Sequence, residues 1–379
     1  PPMSMSAIRP LFAFALALLP LSGLALETAP KVPAQAWLLV DYTTGDILAG
    51  HNAERRLPPA SLTKLMTAYL VFEQLKAGRV HLTDRVTISA DAINARGARM
   101  PLKAGMQVSV DDLVKSMLVR SANNAAAALA EHVAGSEPAF VEQMNARARA
   151  WGLDGTTFVN STGLDRPGHL SSAHDLSRIA AALIRDFPEY YRWFSLRDFT
   201  FNDRSVHNSN ALLWRDDTVD GMKTGYTRHA GWCLVSSANR GQMRLIATVL
   251  GAPSNRTRVL SSQRLLEYGF RNFETHLLFA ANRPAAEARV RLGESAVVPL
   301  GFAENLYLTL PRGVYPRLQT RVEFNDDLQA PVRVGEPLGR LTLQLDDNVF
   351  GEYPLVALKA VDAGGMVERT LDHLQLWRH

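Results

Sequence analysis

Between residues 62 and 75, apolar side chains recur on nearly every face a helix would present: Leu62, Leu65, Met66, Ala68, Tyr69, Leu70, Phe72 and Leu75. A single stripe would mark a surface helix, whereas apolarity nearly all round predicts a buried one. Pro58 and Pro59 precede it, and proline tolerates a first helical turn but not an interior, so the helix starts near Ser61 and ends near Ala77-Gly78. Ahead of it, Ala36 to Tyr42 and Ile47 to Gly50, joined by Thr43-Thr44-Gly45-Asp46, read as a β-hairpin. After it, Val80 to Val110 shows short strand signals and turns with no dominant period. A helix from Asp111 through Leu118 comes next. An alanine-rich helix then runs from the Asn123-Asn124 corner to Gly135, and another from Pro138 to Trp151. Ser121 and Asn123 therefore fall on the loop between two helices.

The next stretch, Phe158 to Leu170, is polar and punctuated by glycine, as an Ω loop is. Ser171-Ser172-Ala173-His174-Asp175 caps a helix over Leu176 to Ile184. Val219 to Thr227, Gly231 to Ala238 and Met243 to Gly251 read as consecutive antiparallel strands, and Arg256 to Phe270 as a helix packed on their sheet. Beyond Phe273 the period changes to two. Leu306, Leu308 and Leu310 alternate with polar partners, as do Leu341, Leu343 and Leu345, and Pro and Gly separate the runs. The pattern predicts an α/β (α+β) domain over residues 26–272, with a central antiparallel sheet flanked by helices. A small all-β domain over 273–364 follows it. At 379 residues the chain is long enough for two cores.

Composition adds an address. Arg9 precedes the apolar run Leu11 to Leu21, and Ser22-Gly23-Leu24-Ala25 offers small residues for cleavage, so residues 1–25 read as a secretory signal peptide and the protein as exported. The apolar run is shorter than a membrane span needs. At the other end Val367, Leu371 and Leu374 recur on one side of a predicted helix over 365–379. The expectation is an amphipathic segment held on the outer face of the inner membrane. A net charge of +4, without basic runs or aromatic-plus-basic stripes, argues against nucleic acid. The single cysteine, Cys233, excludes an internal disulfide and reads as a buried strand residue.

Chemistry concentrates at the start of the buried helix. Ser61 and Lys64, three apart, share one face of its first turn, where backbone N–H groups have no helical partners. Nucleophile, base and oxyanion donor are thus together. Lysine serves as a base only if burial lowers its pKa, and arginine could not serve at all. The chain has seven lysines against thirty-four arginines, and this is its only Ser-x-x-Lys pair. Ser121-Ala122-Asn123 and Lys223-Thr224-Gly225 then complete, in order, the motif trio of penicillin-binding proteins and serine β-lactamases. With Gly163-Leu164-Asp165, Asp220-Gly221-Met222 and Gln242-Met243-Arg244-Leu245-Ile246 also present, the chain resembles the low-molecular-mass penicillin-binding proteins, specifically the D-alanyl-D-alanine carboxypeptidases.

The resemblance implies a serine hydrolase acting on peptidoglycan stem peptides that end in D-Ala-D-Ala, acylated by β-lactam antibiotics and using no cofactor. Ser61 would be the nucleophile, Lys64 its base and Ser121 a proton relay. Asn123 would hold the peptide amide, Lys223 and Thr224 the terminal carboxylate, and Gly225 would permit close approach. The oxyanion would rest on the N–H groups of Ser61 and Tyr226, and Arg258 matches an extra carboxylate-binding arginine, on a helix that also carries Arg256 and Arg264. The chain departs from the family pattern at Ala122, where glycine is common, and at Tyr226, where histidine is frequent. His132, His169 and His207 show no ligand spacing, so no metal is expected. An endopeptidase on the same scaffold is the alternative, and a non-enzymatic wall-binding protein is disfavoured because it would not need Ser61 and Lys64 together. A β-lactamase of the class that deacylates through Glu-x-x-Leu-Asn is disfavoured, because Glu131, Glu137, Glu142 and Glu189 all lack that sequence.

Overall fold

The computed structural model describes residues 28–346 and 348–364. The predicted signal peptide and C-terminal amphipathic segment lie outside the described residues. The chain divides into two compact units, Pro1–Arg271 and Asn272–His379.

The first unit is built on a five-stranded antiparallel sheet. In chain order its elements begin with β1 (Ala36–Asp41), β2 (Ile47–His51), α1 (Lys64–Lys76), β3 (Arg85–Thr87), α2 (Ala90–Asn94), β4 (Gln107–Ser109), α3 (Val110–Val119), α4 (Asn123–Ala134), α5 (Glu137–Ala150) and α6 (Ala173–Asp186). They continue with α7 (Pro188–Tyr191), β5 (Asp198–Phe201), β6 (Arg204–His207), β7 (Val219–Thr227), β8 (Gly231–Arg240), β9 (Met243–Ala252) and α8 (Asn255–Asn272). The sheet order is β2-β1-β9-β8-β7, which leaves β7 as an edge.

Helices cover both faces of this sheet. On one side Ser177 of α6 shares a hydrogen bond with Thr248 of β9 at 2.8 Å. On the other, α8 comes so close that a Cβ at Gly269 would sit 2.5 Å from Leu245 of β9 and 3.0 Å from Leu39 of β1. Strands buried on both faces are near-continuously apolar, as β1 and β9 are. The helix predicted from all-round apolarity is α1, buried at ten of its thirteen positions and packed against α4 and α6.

The prediction and the structure differ most between residues 80 and 110, where β3 and β4 pair and the five-residue α2 lies between them. They also differ over 198–207, where β5 and β6 form a hairpin that the sequence pattern did not mark. Short two-stranded pairs carry too few residues for a period to emerge.

The second unit is all-β. β10 (Phe273–Phe279) pairs with β13 (Leu306–Pro311). β11 (Pro284–Arg291), β12 (Val297–Gly301), β14 (Leu318–Phe324), β15 (Leu328–Gln329), β16 (Pro337–Leu345) and β17 (Asn348–Ala357) make a sheet of order β14-β16-β17-β12-β11-β15. Its core takes Leu341, Leu343 and Leu345 from the alternating run, joined by Val298, Leu300 and Leu355. No helix among the described residues is long and apolar enough to cross a membrane.

Candidate active site

Ser61 stands not on the long helix but on a 3-10 turn, Ala60–Thr63, that leads into it, so Lys64 is the first residue of α1. Ala60 has φ +48°, a left-handed conformation unusual for alanine, and two close neighbours hold it. A Cβ at Gly163 would lie 1.8 Å from the Ala60 carbonyl oxygen, and one at Gly225 would lie 3.0 Å from Ala60 Cβ, 3.1 Å from Ser61 N and 3.2 Å from the Pro59 oxygen. The Ω loop and strand β7 thus clamp the turn from two sides; only glycine fits at the Gly163 contact, while at Gly225 a side chain would push the turn back by a few tenths of an ångström.

Lys64 is fully buried, and its Nζ has three partners: Ser61 Oγ at 3.0 Å, Asn123 Oδ1 at 2.6 Å and the Thr162 carbonyl oxygen at 2.6 Å. Burial, reinforced by the charge of Lys223, holds its pKa well below the ordinary lysine value. The carbonyl oxygens of Asn123 and Thr162 can only accept. A neutral amine therefore spends both its N–H bonds on them and turns its lone pair to the Ser61 hydroxyl.

Asn123 is the first residue of α4, not a loop residue, and its other side-chain atom donates to the Arg96 carbonyl. Ser121 precedes it with φ +64°, in the link between α3 and α4, and its buried Oγ has no hydrogen-bond partner among the described residues. A buried hydroxyl without a partner is uncommon, and this one lines the cleft beside Ser61.

The opposite wall is β7. Lys223 is buried, donates to the Thr224 carbonyl oxygen at 3.0 Å and is pulled down to about 7 by burial and by the charge of Arg258. Arg258 is not on a solvated helix face. It is 4% exposed and donates to the carbonyl oxygens of Gly225 at 2.9 Å and Cys233 at 3.2 Å, and to Asn255 Oδ1 at 2.9 Å. Trp232 lies under its guanidinium at 4.9 Å, and the exposed ring of Tyr226 lies 4.2 Å from that indole. Thr224, Gly225, Tyr226 and Arg258 line one cleft with Ser61, Ser121 and Asn123, of about 260 Å³. Every site residue picked from the sequence therefore lines this cleft or, like Lys64 and Lys223, sits buried beside residues that do.

A family model for D-alanyl-D-alanine carboxypeptidases matches residues 25–254, and one for the C-terminal domain of penicillin-binding protein 5 matches residues 273–363. The chain belongs to the D-alanyl-D-alanine carboxypeptidase family. It is 42% identical over 359 residues to D-alanyl-D-alanine carboxypeptidase DacC of Escherichia coli (strain K12), across 93% of this chain and 90% of that relative. The crystal structure of penicillin-binding protein 5 from Haemophilus influenzae matches with a TM-score of 0.83 and 41% identity, over 89% of this chain and 99% of that one. The ampicillin-bound form of penicillin-binding protein D2 from Listeria monocytogenes matches with a TM-score of 0.57 and 32% identity, over 64% of this chain and all of that one.

The site of this carboxypeptidase-family chain also uses residues the sequence reading passed over. Thr162 contributes only its carbonyl, which no side-chain pattern announces. His169 is buried inside the Ω loop. Its Nδ1 accepts from the Val159 N–H at 2.9 Å, so its Nε2 carries the proton and donates to Thr63 Oγ1 at 2.7 Å. Burial lowers its pKa to about 4, which keeps the imidazole neutral and both bonds intact. Among the described residues, ligand atoms of Glu54, His174 and Asp175 lie within 4.8 Å of one another, although Thr156 Oγ1 already donates to Asp175 at 2.7 Å.

Proposed function

We propose that this protein is an exported serine hydrolase that removes the terminal D-alanine from peptidoglycan stem peptides through an ester on Ser61, and that β-lactams acylate the same hydroxyl. The observation that carries the proposal is the buried amine of Lys64, 3.0 Å from Ser61 Oγ, with its N–H bonds committed elsewhere. Lys64 takes the hydroxyl proton as Oγ attacks the carbonyl between the two D-alanines. The backbone N–H groups of Ser61 and Tyr226 receive the oxyanion. Ser121, whose Oγ has no other partner among the described residues, passes a proton to the departing D-alanine. Asn123 holds the peptide amide. Lys223, Thr224 and Arg258 meet the terminal carboxylate, and water then cleaves the ester.

In the same reading, residues 1–25 are the export signal and 365–379 a weak membrane contact. The Glu-x-x-Leu-Asn sequence that would prime water against a penicilloyl ester is lacking, so the drug adduct is long lived.

The test combines two measurements. Mass spectrometry of products from a D-Ala-D-Ala pentapeptide should show loss of one alanine with wild type and none with Ser61→Ala. Intact mass after penicillin should show one adduct on wild type only. Turnover by Ser61→Ala would sink the assignment. A cross-linked dimer cleaved faster than the pentapeptide would make the protein an endopeptidase.

A further inference from the structure

The reaction as proposed uses the cations of β7 and α8 and leaves those of the opposite wall without a task. Arg120 ends α3 immediately before Ser121, and its exposed side chain lines the cleft. The segment Ala95 to Met100 docks against the same wall: Asn123 N donates to the Ala98 carbonyl at 2.7 Å, and Gly97 and Ala98 line the cleft. Arg96 and Arg99, which flank them, are exposed.

Among the described residues, no ion pair, hydrogen bond or ring contact engages the guanidinium of Arg120, Arg96 or Arg99; the Asn123 side chain meets only the backbone carbonyl of Arg96. Elsewhere in this unit arginines find carboxylates, as Arg147 does with Glu73, Arg240 with Glu267 and Arg244 with Asp220. The carboxylate on a cleft-lining loop, Asp165, is already bonded to Thr227 Oγ1 at 2.7 Å and to His229 Nδ1 at 2.9 Å. A cation at the end of α3 is favoured by the helix dipole, but that effect needs no position in the cleft and does not account for Arg96 and Arg99.

We propose that Arg120 of the cleft wall, with Arg96 and Arg99 of the segment docked on that wall adding positive charge, forms a second anion subsite that takes a carboxylate borne by the substrate upstream of the cleaved bond. The inference rests on the carboxypeptidase reading. A leaving D-alanine carries one carboxylate, which the opposite wall receives, so any further anion on the substrate lies on the acyl side. The enzyme accordingly prefers acidic stem peptides to the same peptides with that carboxylate amidated.

Two synthetic peptides test this, both ending in D-Ala-D-Ala and differing only in a carboxylate or carboxamide on one upstream side chain. For wild type at about 20 mM salt, kcat/KM for the acidic peptide should be about fivefold higher, the effect of one partly exposed charge pair, and the gain should sit in KM. At about 0.5 M salt the preference should fall below about twofold, because exposed charges are then screened. Arg120→Gln should bring the acidic peptide toward the amide, while Arg120→Lys keeps part of the preference. If Arg120→Gln folds poorly, the double variant Arg96→Gln/Arg99→Gln should show a smaller loss in the same direction. A role confined to the helix end would move thermal stability but neither the KM difference nor its salt dependence. Equal kcat/KM for both peptides with wild type at low salt would overturn the subsite and leave the carboxypeptidase reading standing. Failure to turn over either peptide would overturn both.

Discussion

Two buried lysines sit beside the residues that line one cleft, and the proposed chemistry needs them in opposite protonation states. Lys64 must be neutral to accept the Ser61 proton, and burial together with the Lys223 charge favours that form. Lys223 must stay charged to meet a carboxylate, yet burial and Arg258 bring it down to about 7. The signs fix the pH profile. Below the pKa of Lys64 the base is protonated and activity is lost. Above about 7 free enzyme loses the Lys223 cation, so kcat/KM for the peptide falls on the alkaline side. Bound carboxylate raises Lys223, so the alkaline limb of kcat should lie at higher pH than that of kcat/KM. Lys223→Arg, which cannot lose its charge in this range, should flatten the alkaline limb of kcat/KM; an unchanged limb would mean another group titrates there. Lys64→Arg keeps charge and loses the base, so acylation by penicillin should slow by about 10²- to 10⁴-fold in stopped-flow measurements. A variant of near-normal rate would reduce Lys64 to an ion-pair partner.

The elements around Ser61 act as a clamp, and its two glycines should fail differently. At Gly163 an added Cβ meets backbone at 1.8 Å with φ +88°, so Gly163→Ala should destabilise the unit by more than about 3 kcal/mol in denaturant titrations. At Gly225 the contacts are 3.0 to 3.2 Å, so β7 and the turn need part by only a few tenths of an ångström. Gly225→Ala should keep stability within about 1 kcal/mol while cutting kcat about tenfold, because oxyanion donors must be held closely. His169 ties the same loop to Thr63. Its folded pKa of about 4 is below the unfolded value of about 6.5, so its stabilisation is complete above pH 6.5 and is lost as pH falls through 4. That window corresponds to about 3 kcal/mol, and His169→Gln, which does not titrate, should unfold with a shallower pH dependence between those limits; parallel curves would remove His169 from the account.

This clamp also shows how far sequence carried. Ser61 and Lys64 were legible because their contact is local, three residues on one turn, and chemistry restricts both residue types. Lys223-Thr224-Gly225 was legible because it follows the two other short motifs in chain order. The partners of Lys64 lie 59 and 98 residues away, and one of them is a bare carbonyl that any residue type supplies. Left-handed Ala60 is set by a tertiary clamp, not local preference, and the burial of Arg258 inside an arginine-rich helix depends on what β7 and β8 present to it.

At the scale of the whole molecule, every residue that lines the cleft falls between positions 61 and 258, within the first compact unit. The second unit has a core of its own, in which Leu341, Leu343 and Leu300 are fully buried. Two cores of this kind should unfold in two transitions, since cooperativity follows shared buried surface. Truncating a buried leucine costs about 2–5 kcal/mol, and with a separate core in each unit a truncation should act on the transition of its own core alone. Leu65→Ala, in the buried first turn of α1, should lower the transition of the catalytic unit together with the rate of penicillin acylation. Leu341→Ala, in β16, should lower the other transition and leave the acylation rate as it was. Differential scanning calorimetry paired with acylation kinetics checks both. If Leu341→Ala moves both transitions, or slows acylation as Leu65→Ala does, the β unit is part of one cooperative body with the catalytic unit and supports the site directly.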